Sequence, residues 1–221
     1  MYIISPIYDK LFAMDEYIRQ VSRRLQAMAS AGLTYSKDKF DIERYKEIID
    51  IAADLLEHEM EPGVMDKDEI RELFEENDGY PTPKCELRLT AFDDEDRILM
   101  VKDYDGKWTV PGGWCEYDHT LRENAVKEVI EESGIKVEPI RLVAVLDHKR
   151  NNNPKSFFCA YKFLILCKPL GGSFEPNIET TDARYFALDE LPEYNDHKIN
   201  LEQIRLCLKA KYSEHWECVF D

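Results

Sequence analysis

The 221-residue sequence lacks both a long apolar run and an excess of basic residues. No stretch approaches the roughly 18 consecutive apolar residues that a membrane-spanning helix needs, so we expect no membrane span. Lysine and arginine number 29 against 45 aspartates and glutamates, which gives a formal net charge of −16. Because binding to a nucleic-acid backbone or an anionic membrane depends on basic surface, general affinity for either is a poor first hypothesis.

The six cysteines include no Cys-x-x-Cys pair, so the spacing of a zinc site is absent and such a site is the weaker hypothesis. We expect no signal peptide, because residues 1–6 form too short an apolar run and carry no basic flank. The cysteines are therefore interpreted as reduced thiols of a cytoplasmic protein. With 44% hydrophobic and 11% aromatic residues, the chain is predicted to fold around a real core rather than to be a disordered polyanion.

Apolar residues at helical spacing dominate the first third of the chain. An apolar seam with a period of about 3.5 residues predicts a helix that we expect to end at Gly32. The seam consists of Ile7, Leu11, Met14, Ile18, Val21, Leu25 and Met28. It could pack against a second helix, predicted after Phe40, or against another subunit. A capping box at Asp66 and Glu69 predicts a short third helix through Phe74.

A turn-rich stretch over residues 77–83, with prolines at 81 and 83, predicts a domain boundary. Beyond it the pattern changes to apolar strands, including those predicted over residues 136–147 and 157–168, that alternate with helices. This order is typical of a mixed sheet between helices. We therefore predict an α+β protein with three parts. These are a helical N-terminal domain over residues 1–78, a linker over 79–84 and a second domain over 85–221.

Three glutamates crowd one predicted helix of the second domain. Thr120 and Glu123 form a capping box at its start, and Gly134 is the expected helix stop. Glu128 and Glu132 are four residues apart and lie on one face, with Glu131 beside them. Like charges at this spacing destabilise a helix by a few tenths of a kcal/mol per pair, and they lie near the unfavourable end of the helix dipole. The cluster is either a solvated acidic face or a site for Mg²⁺ or Mn²⁺.

The glycine turn ahead of this helix favours the metal site. Residues 113–135 read Gly-x5-His-x7-Lys-Glu-Val-Ile-Glu-Glu-Ser-Gly-Ile. This segment resembles the box of the Nudix hydrolases, Gly-x5-Glu-x7-Arg-Glu-aliphatic-x-Glu-Glu-x-Gly-aliphatic. His119 replaces the first glutamate and is interpreted as an exposed loop residue, which puts loop rigidity in question more than metal binding. Lys127 replaces the arginine and keeps its charge but not its two-pronged geometry.

The resemblance extends to a branch of the family that carries an N-terminal helical domain, through residues 105–114, 145–147 and 178–180. It implies a Nudix α/β/α sandwich with a mixed sheet, preceded by a small all-α domain. It also implies a homodimer built through that domain, and Mg²⁺-dependent hydrolysis of a nucleoside diphosphate linked to another moiety. CDP-choline, cleaved to CMP and phosphocholine, is the favoured substrate. Alternatives are ADP-ribose, an RNA 3′ end, or a non-catalytic Nudix-fold binding module.

The same resemblance implies the residues that hold the cation. Glu128 and Glu132 are expected to be the main ligands, together with the backbone carbonyl of Gly112. Glu131 is expected to be a third ligand or a structural partner of Lys127.

Two further side chains are candidates for the reaction. Glu179 resembles the family's later carboxylate, which serves as a ligand or a base, and Asp182 competes for that role. Arg88, at an inward position of the first strand, is a candidate phosphate contact. A surface salt bridge is an equally good interpretation of Arg88.

Overall fold

The computed structural model describes residues 16–59, 65–75, 82–154, 156 and 159–221. The chain separates into two compact units, with the division falling between Thr82 and Pro83. No helix within the described ranges is long and apolar enough to cross a membrane.

The described part of the first unit is helical: α1 (Glu16–Tyr35), α2 (Lys39–Glu59) and α3 (Lys67–Glu75). The carboxylate of Asp38 caps α2 by accepting the backbone N–H groups of Phe40 and Asp41 at 2.9 and 3.2 Å. At α3 the N–H of Asp66 donates to the Glu69 carboxylate at 2.8 Å, and the N–H of Glu69 donates back to Asp66 at 2.9 Å. The predicted capping box is confirmed.

The prediction that Gly32 ends the first helix is wrong, because α1 continues to Tyr35. A Cβ atom on Gly32 would lie 2.4 Å from the ring of Tyr45 on α2. The glycine therefore serves close helix packing rather than helix termination, and a sequence pattern alone does not distinguish these two uses.

The apolar seam of α1 is not its buried face. The seam residues Ile7, Leu11 and Met14 lie outside the described residues, and Met28 is 59% exposed. The side chain of Ser22 instead donates a hydrogen bond to the backbone carbonyl of Ala52 on α2, at 2.8 Å. The buried face holds mainly small and polar residues: Arg19, Ser22, Gln26, Ala29 and Ser30. Of the two interpretations, packing of the seam against the second helix is the less favoured.

The described strands of the second unit form two sheets. The first sheet consists of β1 (Lys84–Ala91), β4 (Ile135–Asp147), β5 (Ala160–Gly172) and β7 (Val219–Phe220). Its strand order is β1-β5-β4-β7, and it is mixed as predicted, because β1 lies parallel to β5 and β4 lies antiparallel to β5. The second sheet consists of β2 (Ile98–Asp103), β3 (Trp108–Thr109) and β6 (Thr180–Phe186). It is antiparallel, in the order β3-β2-β6.

In the described part of this unit the helices are α4 (Leu121–Ser133), the short α5 (His148–Asn151) and α6 (Leu201–Tyr212). Alternation along β1 places Leu87 and Leu89 in one apolar cluster with Val129 of α4. Glu86 and Arg88 consequently lie on the opposite face of the strand. This placement brings α4 against β1, where the glycine turn also lies.

Candidate active site

The helix that carries the three glutamates, α4, has well-defined ends. At its start Thr120 and Glu123 exchange hydrogen bonds: the Thr120 N–H donates to the Glu123 carboxylate at 2.8 Å, and the Glu123 N–H donates to the Thr120 hydroxyl at 3.3 Å. At its end Gly134 adopts a left-handed conformation with φ of 70°, and its N–H donates to the Ile130 carbonyl. Both helix ends lie where the sequence predicts them.

Two carboxylates of α4 lie against the glycine turn. The N–H of Gly112 donates to Oε2 of Glu132 at 3.1 Å. A Cβ atom on Gly113 would lie 2.8 Å from Oε2 of Glu128, and one on Gly112 would lie 2.1 Å from the Leu87 carbonyl. The turn therefore packs between β1 and the two acids, and only glycines leave room for that approach. We refer to Glu128 and Glu132 as the acid pair.

The acid pair is strongly perturbed electrostatically. Burial raises the pKa of Glu128 to about 7, with the charges of Glu179 and Glu131 adding to the effect and that of Lys127 opposing it. Burial, together with the charge of Glu128, raises the pKa of Glu132 to about 8. Near neutral pH the metal-free site therefore retains protons that a cation would displace.

A divalent cation fits this set of oxygen donors. Within the described ranges no three His, Cys, Asp or Glu side chains converge closely enough to hold a metal by themselves. The acid pair and nearby backbone carbonyls would therefore supply only part of a coordination shell. That arrangement suits Mg²⁺, which usually keeps several waters and takes one or two protein carboxylates.

Glu131 points to a different partner. Its Oε2 lies 2.6 Å from Nζ of Lys127, which also lies 3.0 Å from Glu116, and the Glu131 side chain is 47% exposed. The two acids raise the pKa of Lys127. Of the two roles considered for Glu131, the geometry favours the structural partner of Lys127.

The loop before α4 is held despite His119. The His119 side chain is exposed and lies 3.2 Å from Glu116, which itself pairs with Lys127 on the helix. Asn124, almost fully buried, accepts the N–H of Glu116 at 2.9 Å and donates to the Glu116, His119 and Thr120 carbonyls. Glu116 and Asn124 thus supply loop rigidity, and neither was identified from the sequence, where they stand at no motif position.

Arg88 is buried, so of its two equally good interpretations the surface salt bridge is wrong. Its guanidinium pairs with Glu86 at 2.7 Å and donates to the Gly112 carbonyl at 3.1 Å. The second oxygen of Glu86 lies 2.7 Å from Nδ1 of His148. Although burial alone would raise it, the pKa of Glu86 lies well below its usual range because of Arg88 and His148. Glu86 was missed, although the i, i+2 spacing places it on the same face of the strand as Arg88.

The two candidates for the later carboxylate lie in different surroundings. Glu179 is exposed and close enough to Glu128 for its charge to raise the pKa of that group. Asp182 lies within β6 and pairs with Arg184 at 2.6 Å. The electrostatic contact with the acid pair favours Glu179.

Two family profiles match the chain. Residues 17–74 match a profile described as a UDP-X-like, N-terminal oligomerisation domain, and residues 88–207 match the NUDIX domain profile. The chain is 35% identical to YjhB of Bacillus subtilis (strain 168), over 90% of this chain and 95% of that protein. YjhB is named, provisionally, as an ADP-ribose pyrophosphatase.

Two solved structures are similar in fold and sequence. An ADP-ribose pyrophosphatase from Streptococcus suis is 47% identical with a TM-score of 0.59, covering 63% of this chain and 100% of that one. A UDP-X diphosphatase is 31% identical with a TM-score of 0.59, covering 92% and 98%.

These matches agree with the geometry of residues 112–135 and with the helical first unit. The predicted α+β architecture, a small helical domain followed by a Nudix domain with a mixed sheet, is confirmed. So is the prediction of hydrolase chemistry. The chain belongs to the Nudix hydrolase family and is a pyrophosphatase that acts on phosphorus-containing anhydrides.

Proposed function

We propose that the protein is a Mg²⁺-dependent hydrolase of a nucleoside diphosphate linked to a second moiety. The observation that carries the proposal is the acid pair, two partly buried carboxylates with raised pKa values against a glycine turn. Substrate and acids are both negative, so they need a cation between them. Mg²⁺ bound there would neutralise the charge that develops on the diphosphate.

The chain's own residues have three tasks in this scheme. Glu128 and Glu132, with the Gly112 carbonyl, would hold the cation. Arg88 already donates to that carbonyl, so we infer that it orients the turn rather than contacting a phosphate directly.

Glu179 is exposed beside Glu128 and would accept a proton from the attacking water. The water oxygen forms a new bond to phosphorus as the bridging P–O bond breaks. Two phosphate monoesters result, and the proton taken by Glu179 passes to solvent.

The proposal also covers the nucleobase of the substrate and the moiety linked to its diphosphate. The branch resemblance favours CDP-choline, while the named activities of similar proteins favour ADP-ribose and UDP-linked substrates. We rank ADP-ribose first, because two similar proteins carry that activity in their names. No contact in the described site favours the alternative of an RNA 3′ end.

We also propose a homodimer formed through the N-terminal helices, supported by the oligomerisation profile over residues 17–74 and by the half-exposed seam of α1. A cytoplasmic location is proposed from the cysteines, of which Cys85, Cys115, Cys167, Cys207 and Cys218 are free thiols in the structure.

A substrate panel tests the proposed activity. Purified protein with Mg²⁺ is incubated with ADP-ribose, CDP-choline, a UDP-sugar and a 3′-tailed RNA, and products are separated by chromatography. We expect a nucleoside monophosphate and a second phosphate ester from at least one diphosphate, and none when EDTA is present. Cleavage of the RNA alone would contradict the proposed substrate class.

A further inference from the structure

The loop that carries Glu179 is fastened to the last turn of α4 by two side chains. The hydroxyl of Thr180 donates to the backbone carbonyl of Glu132 at 2.6 Å. Nδ2 of Asn177 lies 3.4 Å from the same carbonyl and donates to the Thr180 hydroxyl at 2.9 Å. Thr180 is only 1% exposed, so these bonds are made away from water.

The other end of the Asn177 side chain holds the backbone around Glu179. Its Oδ1 accepts the N–H groups of Glu179 and Thr180, each at 2.8 Å. Because the amides on both sides of the Glu179 α-carbon are fixed, the direction in which its side chain leaves the backbone is also restricted.

The carbonyl of Glu132 is a suitable anchor because helix ends leave their last carbonyls without helical partners. The helix ends at Ser133, and Gly134 turns the chain away in a left-handed conformation. The loop thus completes the hydrogen bonding of α4 at a residue of the acid pair.

We propose that Asn177 and Thr180 are positioning residues, a clamp that holds Glu179 beside the acid pair so that loop and helix carboxylates act as one unit. The clamp rests on the role of Glu179 in the proposed function. A role only in stabilising the strand would not require the hydrogen bonds from Asn177 and Thr180 to α4, because β6 is already paired with β2.

The chain offers matched variants for a test. Thr180→Val removes the hydroxyl at nearly constant shape, and Thr180→Ser keeps it. Thr181→Val is the control, because the Thr181 hydroxyl also donates to a carbonyl, that of Lys102 at 3.2 Å, which lies on β2 rather than α4. Glu179→Gln is the reference for the carboxylate itself.

Steady-state kinetics on the best substrate of the panel give the first measurement. We expect Thr180→Val to lower kcat about tenfold with KM changed less than twofold, and Thr180→Ser and Thr181→Val to remain near wild type. In the Glu179→Gln background, Thr180→Val should cost no further activity, since both changes remove the same effect. If the losses of activity from Thr180→Val and Glu179→Gln were fully additive, the proposal of a clamp would be overturned.

Hydrogen exchange on the metal-free protein gives a second measurement that does not depend on turnover. Thr180→Val should speed exchange of the Glu179 and Thr180 amides about tenfold while α4 stays protected. Equal loss of protection in α4 would show a general structural role and overturn the proposal. If Glu179→Gln keeps full activity, the role of Glu179 is wrong. If Glu179→Gln loses activity and Thr180→Val does not, only the clamp is wrong.

Discussion

Glu128 and Glu132 combine features that a helix surface normally avoids. They are like charges one turn apart, near the negative end of the helix dipole, and partly buried. Each feature favours the protonated acid, which is why the pKa values rise to about 7 and about 8. Their presence together makes physical sense when a cation compensates them.

The raised pKa values predict how metal-free stability depends on pH. A carboxyl whose folded pKa exceeds its unfolded value of 4.5 binds more protons in the native state, so stability falls as pH rises through this window. Lys162, whose pKa burial lowers to about 7, titrates in the same window with the opposite sign, so the contribution of the acid pair is measured as a difference from a variant that lacks it. We expect that contribution to make the protein in EDTA more stable at pH 5.5 than at pH 8 by roughly 1–3 kcal/mol in unfolding free energy.

The Glu128→Gln/Glu132→Gln double variant is the control for this trend. Both proteins keep Lys162, so the difference between their unfolding free energies isolates the two carboxyl groups. The same change in unfolding free energy between pH 5.5 and pH 8 in both proteins would contradict the assignment.

At this scale the motif positions were predictable and their supporting residues were not. The acid pair is recognisable from its spacing together with the glycine turn and the resemblance of that segment to the Nudix box. Glu116, which pairs with both His119 and Lys127, depends on how the loop folds back on α4, and local spacing does not encode that path. Arg88 was placed at an inward position of its strand, but the choice between a phosphate contact and a salt bridge stayed open because its partner Glu86 was not considered.

At the scale of elements, the glycine turn fixes the distance between β1 and α4. Gly112 has a φ of 147° and packs against β1 backbone, so substitution there should disturb folding itself. Gly113 is not in a left-handed conformation, and the three atoms nearest to a Cβ atom there would all belong to the Glu128 side chain. The two glycines can therefore be separated experimentally.

Gly113→Ala should displace the Glu128 carboxylate and lower kcat at least tenfold, with a small change in melting temperature. Gly106→Ala is the reciprocal control, because Gly106 has a φ of 87° and open space around it. The control should lose roughly 1–2 kcal/mol of stability and keep its activity. Unchanged activity in Gly113→Ala would contradict the contact with Glu128.

Elements with strong periodicity were predicted well, and short ones were not. The limits of α4 follow from its two caps, and the long apolar strands β4 and β5 were recognised with shifted ends. The antiparallel sheet was missed in part because β3 has two residues and β6 shows no clear alternation. The prediction at Gly32 failed for a different reason. A glycine often ends a helix, but here it lies within the helix, where it allows close packing against Tyr45.

At the scale of the whole molecule, α1 of the first unit presents exposed apolar side chains. Tyr17, Met28 and Tyr35 of α1 are 70%, 59% and 72% exposed. Exposed apolar groups along a helix are typical of association surfaces, and the profile matched by this unit is an oligomerisation domain.

Met28→Glu is therefore expected to weaken self-association measured by sedimentation equilibrium. Leu170→Glu, at a residue of the second unit that is 58% exposed, should leave association unchanged. A wild-type protein that is monomeric at all concentrations would contradict a dimer. Equal effects of both variants would contradict the assignment to α1.

We propose that the acid pair, rather than the acidic surface in general, is responsible for Mg²⁺-dependent diphosphate hydrolysis. The most direct test compares Glu132→Gln with Glu131→Gln on the best substrate of the panel, after circular dichroism has shown both to be folded. We expect Glu132→Gln to lose about a hundredfold or more in kcat and Glu131→Gln, at the exposed partner of Lys127, to lose less than tenfold. Full activity in Glu132→Gln would contradict the proposed role of the acid pair in hydrolysis.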